Sequence, residues 1–235
     1  MKEPLTAIFD RLAEDYDSWY QTPLGARSDA LEKEAVFSLA EARPGEHALD
    51  VSCGTGNYAL ALAGRGVRVV AIDASEKMLQ IAQSKAAREG LSIDFRRGTA
   101  EDMPFADDSF DLVTAVLLLE FAPSPQKVLA EMLRVLTPAG RLVVGVLGNH
   151  SLWAAARRAK RLFVPSIWSG ATFFSPRTMT DLLREAGAHS FRWKNAIYFP
   201  PLKNGWLLDR FQVLEGIGQK AFPGLGAFFA VRVEK

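Results

Sequence analysis

The opening stretch LTAIFDRLAEDYDSWY places apolar or aromatic residues at Leu5, Ile8, Phe9, Leu12, Tyr16, Trp19 and Tyr20, the spacing of one helical face. A second helix is expected over about 28–41, stopped by Arg-Pro-Gly-Glu. From there the pattern alternates. Strands are expected at 46–51, 67–73, 92–97, 110–117 and 141–147, with helices at 57–64, 75–89 and 125–136 between them. FDLVTAVLLL is apolar almost throughout, as a strand covered on both faces requires. This β-α-β rhythm predicts a parallel, doubly wound α/β sheet with right-handed crossovers. After residue 150 the rhythm changes: a basic helix, SLWAAARRAKRLF, precedes FFSPRTMTDLLREAG, where Pro176 suits a first helical turn. Aromatic strand-like pieces follow at about 189–199 and 226–233. No repeat or linker divides the chain, so residues 1–235 read as one domain.

Composition narrows the class. With 235 residues and 49% hydrophobic content, the chain can bury a full α/β core. The formal charge of +1 conceals a split, −7 over residues 1–149 and +8 over 150–235, and 14 of the 24 aromatics lie in that second part. Cys53 is the lone cysteine, which excludes a disulfide framework and a multi-cysteine metal cage, and no metal-ligand set is read. An acidic, uninterrupted start and the absence of a long apolar run predict a cytoplasmic protein.

The stretch ALDVSCGTGNYALALAGRGVRVVAIDAS reads as strand, glycine turn, helix and strand. Gly54 and Gly56 permit a sharp turn and close approach of a ligand to backbone N–H groups. Gly54-x-Gly56-x-x-Ala59 with Asp73 downstream also satisfies a loose dinucleotide fingerprint. Asp50 separates the two ligands. A carboxylate at the lip of the turn, roughly 5 Å from a ligand charge, repels a pyrophosphate or attracts a cation by about 3 kcal/mol at an effective dielectric near 20. Asp50 also fits a second role, capping the turn through backbone N–H groups.

LDVSCGTGNYAL resembles the first motif of class I S-adenosylmethionine-dependent methyltransferases, with Ser52 where that motif carries glycine. AIDASEKML resembles their second motif, GTAEDMPFADDSFDLV the segment reaching the adenine, and VLAEMLRVLTPAGRLVV the helix and turn before their fifth strand. These matches run in order over about 46–148 and resemble the core motifs of the quinone-biosynthesis branch. The resemblance implies a mostly parallel seven-stranded sheet with helices on both faces and the last strand antiparallel. It implies a cofactor core at 46–148, an N-terminal helical cover at 1–41 and an acceptor-pocket elaboration at 149–235. S-adenosylmethionine is then the cofactor. Ser52, Gly54 and Gly56 would shape the loop beneath it, Asp50 would face its charged end, and Asp73, beside Ala74, would accept from the ribose hydroxyls. Met78 would pack on the adenine, Ala100 and Glu101 would meet its edge, and Leu117 would close the crevice from the neighbouring strand. Tyr16 and Tyr20, with Trp19, would roof it. Thr99 stands where aspartate is common, so Glu101 or Asp102 would take the adenine amino contact.

Methyl transfer needs alignment of donor and acceptor and, for some acceptors, removal of a proton. His150 and Glu120, following two strands at their carboxyl ends, are the candidate bases. Trp153, Phe163, Trp168, Phe173, Phe174, Trp193, Tyr198, Phe199 and Trp206 supply an acceptor pocket suited to a small, hydrophobic or aromatic molecule. Arg157, Arg158, Lys160 and Arg161 are expected to form a solvated helix face able to meet an anionic membrane or an acidic carrier. Near-zero overall charge disfavours nucleic acid. Two rival functions stay open: a nicotinamide-dependent oxidoreductase, and a non-catalytic cofactor-binding protein.

Overall fold

The computed structural model describes residues 4–161, 168, 170–202 and 210–235. Its centre is a seven-stranded sheet: β1 (His47–Val51), β2 (Arg68–Asp73), β3 (Ile93–Arg97), β4 (Phe110–Val116), β5 (Leu136–Leu147), β6 (Arg192–Ala196) and β7 (Phe228–Glu234). Their spatial order is β3-β2-β1-β4-β5-β7-β6. The five strands from β3 to β5 are parallel, while β7 runs antiparallel to both β5 and β6. The aromatic piece at 226–233 is therefore the antiparallel last strand.

Nine helices surround it among the described residues: α1 (Leu5–Tyr16), α2 (Ser18–Gln21), α3 (Pro23–Ala40), α4 (Asn57–Ala63), α5 (Glu76–Glu89), α6 (Pro125–Val135), α7 (Leu152–Arg161), α8 (Pro176–Glu185) and α9 (Phe211–Ala221). Three boundaries differ from expectation, each for a local reason. The first helix breaks at Asp17, where the Ser18 hydroxyl donates to the Asp15 carbonyl. The next starts at Pro23 rather than 28, because Thr22 accepts from the Gly25 N–H at 3.0 Å and proline suits the first turn. β5 starts earlier than 141, at Leu136, which already pairs with Phe110. The α9 helix, with Gly216 and Gly218 in its span, was not anticipated.

Alternation along the strands sends Leu49, Val51, Val70 and Ile72 to one face and Ala48, Val69 and Ala71 to the other. The first face is covered by α6 and α8, and the second by α3, α4 and α7. Buried Arg141 of β5 donates to the Ala40 and Glu41 carbonyls and pairs with Glu46 at 2.6 Å, tying the end of α3 to the sheet. α3 packs over β5, β6 and β7, and its Glu32 reaches the cavity bordered by Asp50 of β1 and Leu117 after β4, at the strand ends where an open α/β sheet takes its ligand. Among the described residues no helix is long and apolar enough to cross a membrane.

Candidate active site

The turn after β1 is wound through left-handed residues: Ser52 (φ 54°), Gly54 (φ 55°) and Gly56 (φ 82°). The glycines serve different ends. A Cβ on Gly56 would stand 3.0 Å from the Cβ of Ala82, so its bareness lets α4 and α5 pack. A Cβ on Gly54 would meet nothing within 4 Å, so that bareness leaves open space above the loop. Ser52 bears the cost of a side chain in this region. Ser52→Gly is expected to stabilise the fold by about 1 kcal/mol in denaturant unfolding, the usual penalty for a left-handed L-residue less the entropy of glycine. Leu117, directly after β4, shares the strain with φ 56°. The two lie at the carboxyl ends of the adjacent strands β1 and β4.

The Asp73 carboxylate braces this loop: Oδ2 accepts from the Gly54 N–H and Oδ1 from the Ser75 N–H, both at 2.8 Å. Burial raises its pKa, while the N–H groups of Ser75 and Gly54 act in the opposite direction. Ser75 caps α5 by accepting from the Met78 N–H, and its hydroxyl donates to Asp10 of α1 at 2.5 Å. A second tie runs from the α1–α2 turn. Asp17 accepts from Thr55 at 2.7 Å and Asn57 at 3.3 Å, and pairs with Lys85 at 2.9 Å. The N-terminal helices are thus latched by two carboxylates, Asp17 onto the glycine loop and Asp10 onto the start of α5.

Asp50 departs from its expected place. It is only 2% exposed and lies beneath the turn instead of at the lip, because the β1 register turns it inward beside Thr114 of β4. Its Oδ1 accepts from the Thr114 hydroxyl at 2.8 Å, and its Oδ2 has no hydrogen-bond partner among the described residues. Burial pushes its pKa up to about 7, against the lowering pull of its hydrogen bonds. With Tyr16, Tyr20, Glu32, Ser52 and Leu117 it borders a cavity of about 40 Å³, room for a few waters. The other expected cofactor residues lie off this cavity, apart from Gly54, which lines it. Gly56, Met78 and Ala100 are buried, while Asp73, Ala74 and Glu101 are half-buried.

A second cavity, of about 540 Å³, adjoins the first and shares Tyr16, Tyr20, Glu32 and Leu117 with it. Trp19, Trp153 and Trp168 form much of its wall, with the Trp19 and Trp153 rings 6.3 Å apart and nearly perpendicular. Glu32 was missed in the sequence, although a signal exists. It sits on the apolar stripe of α3 with Ser28, Leu31, Ala35, Val36 and Leu39, where a solvated acid has no reason to be. It is 9% exposed, and burial pushes its pKa up to about 8, helped by Asp29 and Glu120 and opposed by Arg157 and Lys33.

The two candidate bases occupy other places. Glu120 is 2% exposed, and its Oε1 accepts from the Leu147 N–H at 2.6 Å, while its backbone carbonyl accepts from Thr172. It joins the end of β4 to the end of β5. Its Oε2 has no hydrogen-bond partner among the described residues, and burial pushes its pKa up to about 7. His150 is exposed in the turn after β5. Neither lines a cavity described here. Of the aromatic set, Trp153 and Trp168 reach the large cavity. Phe174 and Trp193 pack on the opposite sheet face, and Phe199 is buried, its carbonyl taking the Trp153 indole N–H at 2.8 Å. The Tyr198 hydroxyl donates to the Pro223 carbonyl. Phe163, Trp206 and the side chain of Arg161 lie outside the described residues. The basic helix face is split: Arg158 and Lys160 are exposed, but Arg157 turns inward, contrary to the expected solvated face.

Comparison with known proteins agrees with this geometry. A methyltransferase domain model matches residues 49–144. An uncharacterized protein of Methanocaldococcus jannaschii is 27% identical over 97% of the chain and 98% of its own length. A demethylmenaquinone methyltransferase of Clavibacter sepedonicus is 39% identical over 60% of the chain, which spans 56% of that relative. Among solved structures, a Thermotoga maritima S-adenosylmethionine-dependent methyltransferase, described as a possible histamine N-methyltransferase, superposes with a TM-score of 0.76 at 24% identity, covering 99% of this chain and 100% of that one.

Proposed function

We propose that this chain is a class I S-adenosylmethionine-dependent methyltransferase whose acceptor is a small, hydrophobic molecule held in the cavity of about 540 Å³. One observation carries the reading: a glycine loop with open space above Gly54 and an unpartnered buried oxygen of Asp50 below adjoins a tryptophan-walled chamber. The residues suit the cofactor. An orphan carboxylate oxygen accepts an ammonium or another N–H donor and opposes a phosphate, which also argues against a dinucleotide. In this assignment Ser52, Gly54 and Gly56 form the loop under the amino-acid portion, Asp73 with Ala74 takes the ribose, and Met78, Ala100 and Glu101 surround the adenine. Tyr16, Tyr20 and Leu117 close the crevice toward the acceptor. When bound, the cofactor supplies a methyl group on a positively charged sulfur.

The chain's own residues do the rest. With α1 and α2 latched through Asp10 and Asp17, the cavity over the loop holds only water-sized space, so this cover lifts to admit the cofactor and closes over it. Closure excludes water from a site walled by Trp19, Tyr16 and Tyr20. Glu32 borders both cavities, and we assign it, rather than His150 or Glu120, the role of accepting a proton from the acceptor atom. A base poised near neutrality is suited to that task. The size and apolar walls of the chamber support a small-molecule acceptor, and the relative named demethylmenaquinone methyltransferase points the same way.

Titration calorimetry tests the cofactor half of this reading. S-adenosylhomocysteine is expected to bind with a micromolar or lower dissociation constant and NAD(H) not at all. Binding of NAD(H) without S-adenosylhomocysteine would reverse the assignment.

A further inference from the structure

Arg157 departs from the other cations of α7. Its guanidinium carbon stands 4.9 Å from the centre of the Trp168 ring, 5.3 Å from Trp153 and 5.9 Å from Phe173, and the side chain lines the large cavity. Three aromatic faces hold the cation, yet they satisfy none of its five N–H donors. Among the described residues no hydrogen bond and no ion pair holds this guanidinium, in contrast to buried Arg141, whose donors meet the Ala40 and Glu41 carbonyls and Glu46. The guanidinium is half-buried and its donors open onto the cavity, where an anionic ligand group can replace water as their acceptor.

We infer that the acceptor is a planar apolar molecule bearing a carboxylate, and that Arg157 binds this carboxylate while the flat body lies among Trp19, Trp153 and Trp168. The inference rests on the methyltransferase reading of the same site and specifies its substrate class. The planar fork of arginine matches a carboxylate through two parallel hydrogen bonds, and tryptophan faces suit a flat apolar body. The remaining charged groups on the cavity wall are Asp15, Glu32 and Lys160. Asp15 and Lys160 are exposed and opposite in sign. Glu32 is buried, and burial raises its pKa against the opposing pull of Arg157, the two groups facing one cavity from different helices. Position also separates two roles. Glu32 borders the cavity over the glycine loop, whereas Arg157 lines only the larger one. The carboxylate is therefore a handle, and a different atom of the same molecule, nearer Glu32, takes the methyl group.

The test uses calorimetric titration of the protein saturated with S-adenosylhomocysteine, with naphthoate, naphthamide and naphthylmethylammonium as isosteric probes. The wild type is expected to bind naphthoate about tenfold more tightly than naphthamide, the gain from one charge-assisted pair, and to bind the ammonium least. Arg157→Gln is expected to bring naphthoate down to the level of naphthamide while leaving naphthamide unchanged, a pattern that a collapsed pocket would not produce. Arg157→Lys keeps the charge without the fork, so the preference narrows without vanishing. If the glutamine variant binds neither probe, the lysine variant decides: a narrowed preference supports the inference and an unchanged ratio overturns it. It is also overturned if the wild type prefers the amide or the ammonium, binds no probe, or if Arg157→Gln keeps the wild-type ratio. Failure of S-adenosylhomocysteine to bind would instead refute the methyltransferase reading, so the two failures are distinguishable.

Discussion

Replacing Asp73 with asparagine is expected to weaken S-adenosylhomocysteine binding by about 100-fold, since losing a charge-assisted hydrogen bond and leaving polar groups mispaired together cost about 3 kcal/mol. The carboxylate accepts from Gly54 through one oxygen and from Ser75 through the other. Asparagine keeps one acceptor and replaces the other with an amide N–H₂, which must face an N–H donor. Either the glycine loop or the start of α5 then loses its brace, and the ribose contact proposed for this residue loses its charge. Calorimetry of the variant measures the loss, and far-ultraviolet circular dichroism confirms that the sheet persists. Unchanged affinity would remove Asp73 from the site.

Glu32→Gln is expected to lower kcat by about 100-fold, the smaller end of what a positioned general base contributes, and to abolish the rise of the wild-type rate through pH 8. Stability supplies a second readout with the opposite slope. Burial raises the folded-state pKa of Glu32 from the ordinary carboxylate value to about 8, so the folded protein holds this proton more strongly than the unfolded chain. The resulting stabilisation is present below the unfolded-state pKa and is lost as pH rises through the folded-state value. Asp50 and Glu120, both pushed up to about 7 by burial, act in the same direction. Denaturant unfolding between pH 5 and 9 should therefore show the wild type losing stability as its activity increases. At alkaline pH Glu32→Gln should be the more stable protein by on the order of 3 kcal/mol, because no charge is left to bury. A variant as inactive as expected but with the wild-type stability slope would place the titration on Asp50 or Glu120 instead.

Burial of Asp50 changes how it discriminates between a cation and a phosphate. As a lip carboxylate it would be ionised at every physiological pH, but beneath the turn its charge depends on what donates to Oδ2. A positively charged or N–H donor partner favours the ionised form. The preference for a cation over a phosphate keeps its sign, and its magnitude becomes coupled to binding.

Much of the architecture was legible because its causes are local. Strand and helix periods follow from one-sided or two-sided burial. Ser75, Ser175, Pro176 and the glycine turn act within a few residues of their own positions, whereas the seven-stranded sheet with its antiparallel β7 was implied only by the family resemblance of the core motifs. The errors lie where a side chain's partner is distant in the chain. A helical wheel places Arg157 on a basic surface of α7, yet the rings of Trp153, Trp168 and Phe173 draw it inward. His150 projects from an exposed turn, and Glu120 is committed to the Leu147 N–H.

The order of motifs, the parallel sheet and the glycine loop were contained in the chain's own pattern, since burial periodicity and turn chemistry depend on neighbours a few positions away. The convergence of Glu32 from α3, Arg157 from α7 and Trp19 from the N-terminal cover around one chamber came from packing. No spacing rule encodes it, because those segments meet only once α3 and α7 both lie against the same face of the sheet.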